Sequence, residues 1–347
     1  MSVAAISISN CIAISLGQRD MSSISILGAT QLRALVPLDL AAIDQVEAAF
    51  RSLATEAVAM PPILRLDIPE HAGEVDVKTA CLPRFESFAI KVSSGFFNNP
   101  ALGLASLNGL MLVLSARTGL IEAVLLDNGY LTAVRTAAAG AVAARWLSRR
   151  NAKRVAVIGA GEQARLQLQA LMLVRDIEHA TVWARNPYRA ARFAEEVQGV
   201  PCALADSVNQ ALRHADIVIT STPSSTPLVG ADDLHPGLHI TAMGSDAQHK
   251  NELAPAVFKA ASYVCDSLSQ TRVLGELHHA IHAGVVAADA RFAELGQVIA
   301  GQAGGRRGDD EVTICDLTGT GAQDTAIAVL ALARARQVGA GSIFNNI

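Results

Sequence analysis

Residues 154–171 read RVAVIGAGEQARLQLQAL. The apolar start has the character of a buried strand, and the end has the spacing of a helix. Between them stand Gly159, Ala160, Gly161, Glu162, Gln163 and Ala164, a GxGxxA spacing. That spacing is a weak signal alone. Directly after a strand, and opening a helix, it predicts a dinucleotide-binding turn. Gly159 makes the tight turn, Gly161 lets backbone amides reach a pyrophosphate, and Ala164 lets helix and strand pack closely. The helix N-terminus adds favourable partial charge for the phosphate. An ordinary tight strand–helix turn is the plainer alternative.

The same grammar continues downstream. HATVWARNP is a strand followed by the helix YRAARFAEEV, and ADIVITSTPS, GLHITAMGSD and ASYVCDS are further apolar strands. Short apolar strands alternating with helices imply a doubly wound parallel sheet. Residues 145–320 are therefore expected to form one Rossmann-type α/β domain. Upstream the pattern differs. Residues 29–58 are mostly helical with a break at Pro37. PILRLDIP, GEVDVKTACLP, SFAIKVSSGF, GLMLVLSA and LIEAVLLDNGYL then read as successive strands. Residues 23–144, joined by 321–347, are expected to form an α+β substrate-binding and dimerisation domain. Between the two, AVRTAAAGAVAARWL is a helix with Thr132 as its expected cap and Gly140 as a point of close approach.

The bulk composition narrows the function. Of 347 residues, 51% are apolar and 17% charged, so a large core is available. A net charge of −4 gives no footprint for nucleic acid. No apolar run reaches the roughly 18 residues needed to span a bilayer. Five widely spaced cysteines without a CxxC point away from a disulfide framework or zinc site and toward a reducing cytoplasm. Residues 1–22 lack the basic start of a signal peptide. They are read as an N-terminal extension outside the fold, with MSSISILGATQLRAL resembling a natural start at Met21.

NAD sites usually carry Asp or Glu after the second strand, for the ribose 2′-hydroxyl. Here no acid lies between Ala180 and Phe193, while Arg185, Asn186, Arg189 and Arg192 do. A basic cluster suits a 2′-phosphate, which favours NADPH over NADH. A solvated helix start, capped by Asn186 before Pro187, is the alternative.

Chemistry gathers at two places. In HITAMGSDAQHKNEL (239–253) an apolar strand closes through Met243 and Gly244, and the first charge is Asp246. Ligands of open α/β sheets bind beyond the carboxyl ends of the strands, so Asp246 is a candidate acid or base there. Asp in a turn is equally ordinary. In the first domain, Arg65, Lys78, Lys91 and Arg135 are cations among small or apolar neighbours. Such groups are rarely buried unpaired, so an anion is implied: a substrate carboxylate, or an internal partner such as Asp67 or Asp76. DLTGTGAQD (316–324) places Thr320 in a Gly/Thr-rich turn that either faces a nicotinamide or caps a helix joining the domains. GELHHAIHAG sets His278 and His282 one turn apart beside Glu276, without a third ligand at fitting spacing, so no metal is expected.

The segments PPILRLD, FAIKVSSGFFNNP, LTAVRTAAAGAVAARWL, VIGAGEQARLQLQAL, DIVITSTPSSTPLV, HITAMGSDAQHKNEL and GELHHAI resemble, in order, those of the ornithine cyclodeaminase/μ-crystallin family. AMGSDAQHKNEL and CDLTGTGAQDTAIA look most like its ectoine-utilisation branch, which also resembles iminosuccinate-type reductases. The resemblance implies that Arg65, Lys91 and Arg135 hold a substrate carboxylate and polarise its nitrogen or carbonyl. It implies that Asp246 is catalytic and that Thr222 and Pro223 pass the cofactor ribose. It also implies a homodimer and a last helix that returns to the first domain. Two departures point away from a literal ornithine substrate: the acid after the second strand is missing, and a GNGAQ-like loop reads GAGEQA here. The expected activity is NAD(P)H-dependent reduction of a C=N bond in a small carboxylate-bearing imine. Cyclodeamination of a diamino acid, or ligand binding without catalysis, stand as alternatives.

Overall fold

The computed structural model describes residues 23–345. The expected N-terminal extension lies outside them. Chain order begins with β1 (Ser23–Gly28), α1 (Ala29–Leu35), α2 (Leu40–Thr55), β2 (Leu64–Ile68), β3 (Gly73–Ala80), β4 (Ser87–Phe96), β5 (Leu107–Ser115), β6 (Ile121–Leu126) and α3 (Tyr130–Leu147). It continues with β7 (Arg154–Ile158), α4 (Glu162–Met172), β8 (His179–Trp183), α5 (Pro187–Glu196), β9 (Cys202–Leu204), α6 (Val208–Leu212), β10 (Ile217–Thr220) and β11 (His239–Ala242). The remainder is β12 (Ser262–Cys265), α7 (Leu268–Thr271), α8 (Gly275–His282), β13 (Ala293–Glu294), α9 (Leu295–Ile299), β14 (Thr313–Asp316), α10 (Gly321–Val338) and β15 (Ser342–Asn345).

Two sheets result. The first has the order β15-β1-β6-β5-β4-β3-β2 and is antiparallel except where β1 meets β6. The second, β13-β12-β14-β11-β10-β7-β8-β9, is parallel throughout. Its strands are apolar on both faces, as a doubly covered sheet requires. On β7, Val155 and Val157 join the core under α4, while Ala156 and Ile158 join the core on the opposite face. Successive strands run outward from β7 through β8 to β9, and β10 starts the other half on the opposite side. The order reverses between β7 and β10, and that switch point opens a crevice at their carboxyl ends.

Helix α3 is the spine between the sheets. It is buried over nearly its whole length, and its alanines join a core with α2, α9 and β14. Gly140 is needed there: a Cβ would lie 1.9 Å from Gln167 Oε1 of α4. Helix α10 leaves the second sheet and packs on α2, β3 and β4, the return to the first sheet that the family resemblance implies. Gly321 permits it, since a Cβ would lie 2.3 Å from the Thr79 carbonyl oxygen.

The expected cap of α3 is corrected. Thr132 lies inside the helix, which starts at Tyr130 after Gly129 with φ +84°. The Asp127 carboxylate accepts from Leu131 N at 2.8 Å and does the capping. Among the described residues, no helix is long and apolar enough to cross a membrane.

Candidate active site

The turn after β7 has the geometry its glycines anticipate. Gly159 has φ +122°, in the left-handed region, and a Cβ there would meet Ser221 O at 2.9 Å. A Cβ on Gly161 would meet nothing within 4 Å, so the backbone at the start of α4 is open to approach. Ala164 is fully buried and packs into the core beneath β7. Glu162 and Gln163 open α4. Two buried polar atoms on the loops of this crevice, Gln163 Nε2 and Ser221 Oγ, have no hydrogen-bond partner, and neither has Thr320 Oγ1 at the start of α10. Buried polar groups are seldom left unmatched, so these orphans fit a polar ligand such as a dinucleotide.

Arg185, Asn186 and Arg189 are exposed at the end of β8. The Asn186 side chain accepts from Tyr188 N (3.0 Å) and Arg189 N (3.2 Å), which makes it the cap of α5. Arg192 pairs with Glu196 at 2.6 Å. Arg185 and Arg189 have no ion-pair partner among the described residues.

A second centre lies where the first sheet meets α10. Lys78 and Lys91 stand directly opposite each other on β3 and β4. Like charges so placed repel unless an anion separates them. The resident anion is Asp324, in the first turn of α10 and fully buried. Lys91 Nζ is 3.0 Å from its Oδ2, and Arg135 Nε is 2.9 Å from its Oδ1. Arg135 also donates to Gln323 Oε1 at 2.9 Å. Lys78 Nζ donates to the carbonyls of Thr318 (3.5 Å) and Gly319 (3.2 Å). Burial pushes the Lys91 pKa down to about 7, helped by Arg135 and Lys78 and opposed by Asp324. Burial, then Arg135, lowers Lys78 as well. For Asp324, burial acts upward but is outweighed by Arg135 and Lys91, so it stays ionised. Lys91 and Arg135 therefore share the Asp324 carboxylate, while Lys78 contacts backbone carbonyls and has no ion-pair partner among the described residues.

Asp246 follows β11 and stands at the rim, with its side chain 53% exposed. Surrounding chain acts to raise its pKa, but Lys250, 2.5 Å away, and then Lys78 hold it below the usual carboxylate range. The charge of Lys78 acts on Asp246 as well as on Asp324, which couples the two centres electrostatically. Arg65 is placed differently. It lies on β2, at the rim, with Asp67 at 2.9 Å, Asp76 at 3.6 Å and Glu74 also against it. The internal pairing anticipated for Asp67 and Asp76 is thus present at Arg65, while the partner of Lys91 and Arg135 is Asp324.

Met243 is buried after β11 and Gly244 follows it. Thr222 and Pro223 follow β10. Glu252, a residue the sequence reading passed over, joins these two loops. Its Oε1 accepts from Thr222 N and Oγ1, both at 2.7 Å, and its Oε2 accepts from Gly244 N at 2.8 Å. The turn at 316–324 serves as a joint: Asp266 accepts from Thr318 N (2.8 Å) and Gly319 N (2.7 Å), and Thr320 begins α10. Of the histidines, His278 and His282 lie with ring centroids 5.0 Å apart, and no group of three metal-ligating side chains occurs among the described residues.

Two surface cavities, of about 760 and 560 Å³, lie elsewhere, at the amino ends of the parallel strands. Arg149 and Lys153 in the larger are already paired with Asp216 and Glu178. Ligands of such sheets bind at the opposite end, so these cavities are not the reacting centre.

The sequence model of the ornithine cyclodeaminase/mu-crystallin family matches residues 25–338. The chain belongs to that family. A relative in Sinorhizobium fredii (strain NBRC 101917 / NGR234), an uncharacterized cyclodeaminase, is 56% identical, with 94% of this chain and all of the relative covered. The Thermococcus litoralis Δ1-pyrroline-2-carboxylate reductase, solved with NADH and L-proline, superposes with a TM-score of 0.87 at 30% identity, over 92% of this chain and 99% of that one. An archaeal alanine dehydrogenase, solved as a dimer with bound NAD, gives 0.88 at 33% identity, over 94% and 100%. Solved proteins of this fold thus include NAD(H)-binding oxidoreductases.

Proposed function

We propose that this family member is an enzyme that reduces the carbon–nitrogen double bond of a small imino acid with a nicotinamide dinucleotide. The observation that carries this reading is the cluster of buried cations Lys78, Lys91 and Arg135, of which Lys78 has no ion-pair partner among the described residues and feels the charge of Asp246, which follows β11. Lys78, Lys91 and Arg135 would take the substrate carboxylate, with Arg65 at the rim as an outer contact. Arginine grips a carboxylate at two points, and a held substrate needs no further search for the reactive pose. The sheet order and the orphaned polar atoms support a division into a substrate domain (23–144 with 321–347) and a dinucleotide domain (145–320).

Residues 159–164 would hold the pyrophosphate of NAD(P). Arg185, Asn186 and Arg189 would lie at the adenosine end, and Thr222, Pro223, Met243, Gly244 and Thr320 at the nicotinamide end. When bound, that cofactor supplies hydride chemistry at the imine carbon. Asp246, kept ionised by Lys250, would stabilise the substrate as its N-protonated iminium, directly or through a water, so that hydride arriving at carbon yields the neutral amine with no further proton required. In the reverse sense it would take a proton from the ammonium form of the amine. Lys91, poised near neutrality, would polarise the nitrogen or carbonyl. NADPH is favoured over NADH, because Arg185 and Arg189 are exposed and unpaired where an acid would select NAD.

Exposed Leu64, Leu66, Phe97, Leu102, Leu104 and Leu107 on the first sheet and its loops support burial against a second copy, hence a homodimer. Free thiols at Cys81, Cys202, Cys265 and Cys315 support a cytoplasmic location. The resemblance of AMGSDAQHKNEL and CDLTGTGAQDTAIA supports a place in amino-acid or ectoine catabolism.

The Sinorhizobium relative favours one second reading, cyclodeamination. A second amine of a diamino acid would then attack the imine, ammonia would leave, and the cofactor would be regenerated. Incubation with imino acids, and separately with diamino acids, tests both. Net cofactor oxidation supports the reductase, whereas ammonia release without net oxidation supports the cyclodeaminase.

A further inference from the structure

We infer that Glu252 is a positioning residue that sets the reacting geometry by tying the loop that carries Asp246 to the loop after β10. The inference rests on the reading of Asp246 as the proton-handling group.

Glu252 is fully buried. One oxygen holds both the backbone and the hydroxyl of Thr222, and the other holds the Gly244 amide, two residues before Asp246. Gly244 is fitted to this contact: a Cβ there would lie 2.3 Å from Glu252 Oε2. The same segment closes on the Asp246 loop twice more. Ser245 Oγ donates to the Lys250 carbonyl, and Lys250 Nζ grips Asp246. The His279 ring sits 2.7 Å from that Lys250 carbonyl and braces it from α8.

Glu252 is itself held from behind. Glu276 accepts from Glu252 N (2.9 Å) and Leu253 N (3.0 Å), and Asp316 accepts from Glu276 N (2.8 Å) and Leu277 N (3.2 Å). The Glu252 carbonyl accepts from Leu228 N and Val229 N, which fixes its chain beside the strand end. A chain of buried carboxylates thus runs from β14 through α8 to the two loops that flank the crevice. Glu252 and Glu276 hold donors on both carboxylate oxygens and Asp316 holds three on Oδ2, with Tyr263 Oη at 2.8 Å the third, and satisfied buried networks are rigid. Glu252 touches neither of the proposed reacting atoms; it acts through Gly244 and Thr222.

Glu252→Gln is the informative change. Its oxygen still serves Thr222, but its amide faces the Gly244 N–H, donor against donor, so only the tie to the Asp246 loop is cut. Two measurements follow. Hydrogen exchange of the ligand-free protein should show faster exchange in peptides covering 243–247, with β7 unchanged. Turnover of Δ1-pyrroline-2-carboxylate with NADPH and NADH is then compared in wild type, E252Q, D246N and the double variant. A misplaced reacting group costs about ten- to a hundredfold in kcat, with KM little moved. In the D246N background that cost should vanish, because there is no proton-handling group left to misplace. Equal losses from E252Q in both backgrounds, or unchanged exchange at 243–247, would overturn the inference. Full activity of D246N alone would instead overturn the reading of Asp246. Should E252Q fail to fold, Glu252→Asp, too short to span both loops, carries the same comparison.

Discussion

Lys91 on β4 lies 3.0 Å from Asp324 on α10, although the two belong to opposite ends of the chain and α10 begins directly after a strand of the other sheet. This contact makes the candidate substrate site a joint between the two sheets. It also answers why two lysines can face each other across β3 and β4.

Removing that carboxylate should be costly. Asp324→Asn leaves Lys91 and Arg135 buried without their counter-charge, and breaking a buried pair on one side typically costs about 3–5 kcal/mol. Chemical denaturation should show a lowered midpoint with an unchanged slope. A midpoint equal to wild type would mean that Asp324 is not the resident counterion.

Close approach of α10 to β3 predicts a second loss. A Cβ at Gly321 would meet backbone, at 2.3 Å from Thr79 O, rather than a side chain that could turn away. Gly321→Ala should destabilise by about 1–3 kcal/mol. Thermal unfolding of the variant measures this.

Activity should fall away at two ends of the pH scale for different reasons. Lys91 has its pKa lowered by burial to about 7, so it loses its charge as pH rises through that value. kcat/KM for an anionic substrate should decline there, and Lys91→Arg, cationic throughout, should remove the decline. Asp246 has its pKa depressed below the ordinary range, so it stays ionised until the pH is well below that range. Lys250→Met removes the depressing charge. The acid limb of amine oxidation should then move to higher pH, and a limb that stays in place would exclude Lys250 as the cause.

Cofactor choice is tested at the end of β8. In the double variant Arg185→Ala/Arg189→Ala, the KM for NADPH relative to NADH should rise about ten- to a hundredfold, the worth of hydrogen bonds to a charged group. An unchanged ratio would leave these arginines as a solvated helix start.

The sequence revealed what local chemistry determines. Residues 154–171 disclosed strand, turn and helix because each part has its own periodicity, and Lys91 and Arg135 stood out as single charges in apolar runs. What it hid is pairing at a distance. Asp324 reads as a first-turn acid of a helix, and only the return of α10 brings it to Lys91. Glu252 reads as one polar residue in a loop, since its three donors come from two separate strand ends. Thr132 looked like a cap because Thr often is one, but Gly129 at positive φ lets the chain turn earlier, and Asp127 takes the exposed amide. The edge strand β15 and its neighbour β1 are short and mixed in polarity, and pairing rather than pattern defines them.

The central claim is tested most directly by following NADPH and NADH absorbance while the protein is mixed with Δ1-pyrroline-2-carboxylate, with 2-oxo acids plus ammonia, and with diamino acids. The account predicts net cofactor oxidation with at least one imino acid, cut by about 10²- to 10⁴-fold but still measurable in D246N, while cofactor binding persists. Bound cofactor with no oxidation, and no ammonia released from any diamino acid, would contradict it.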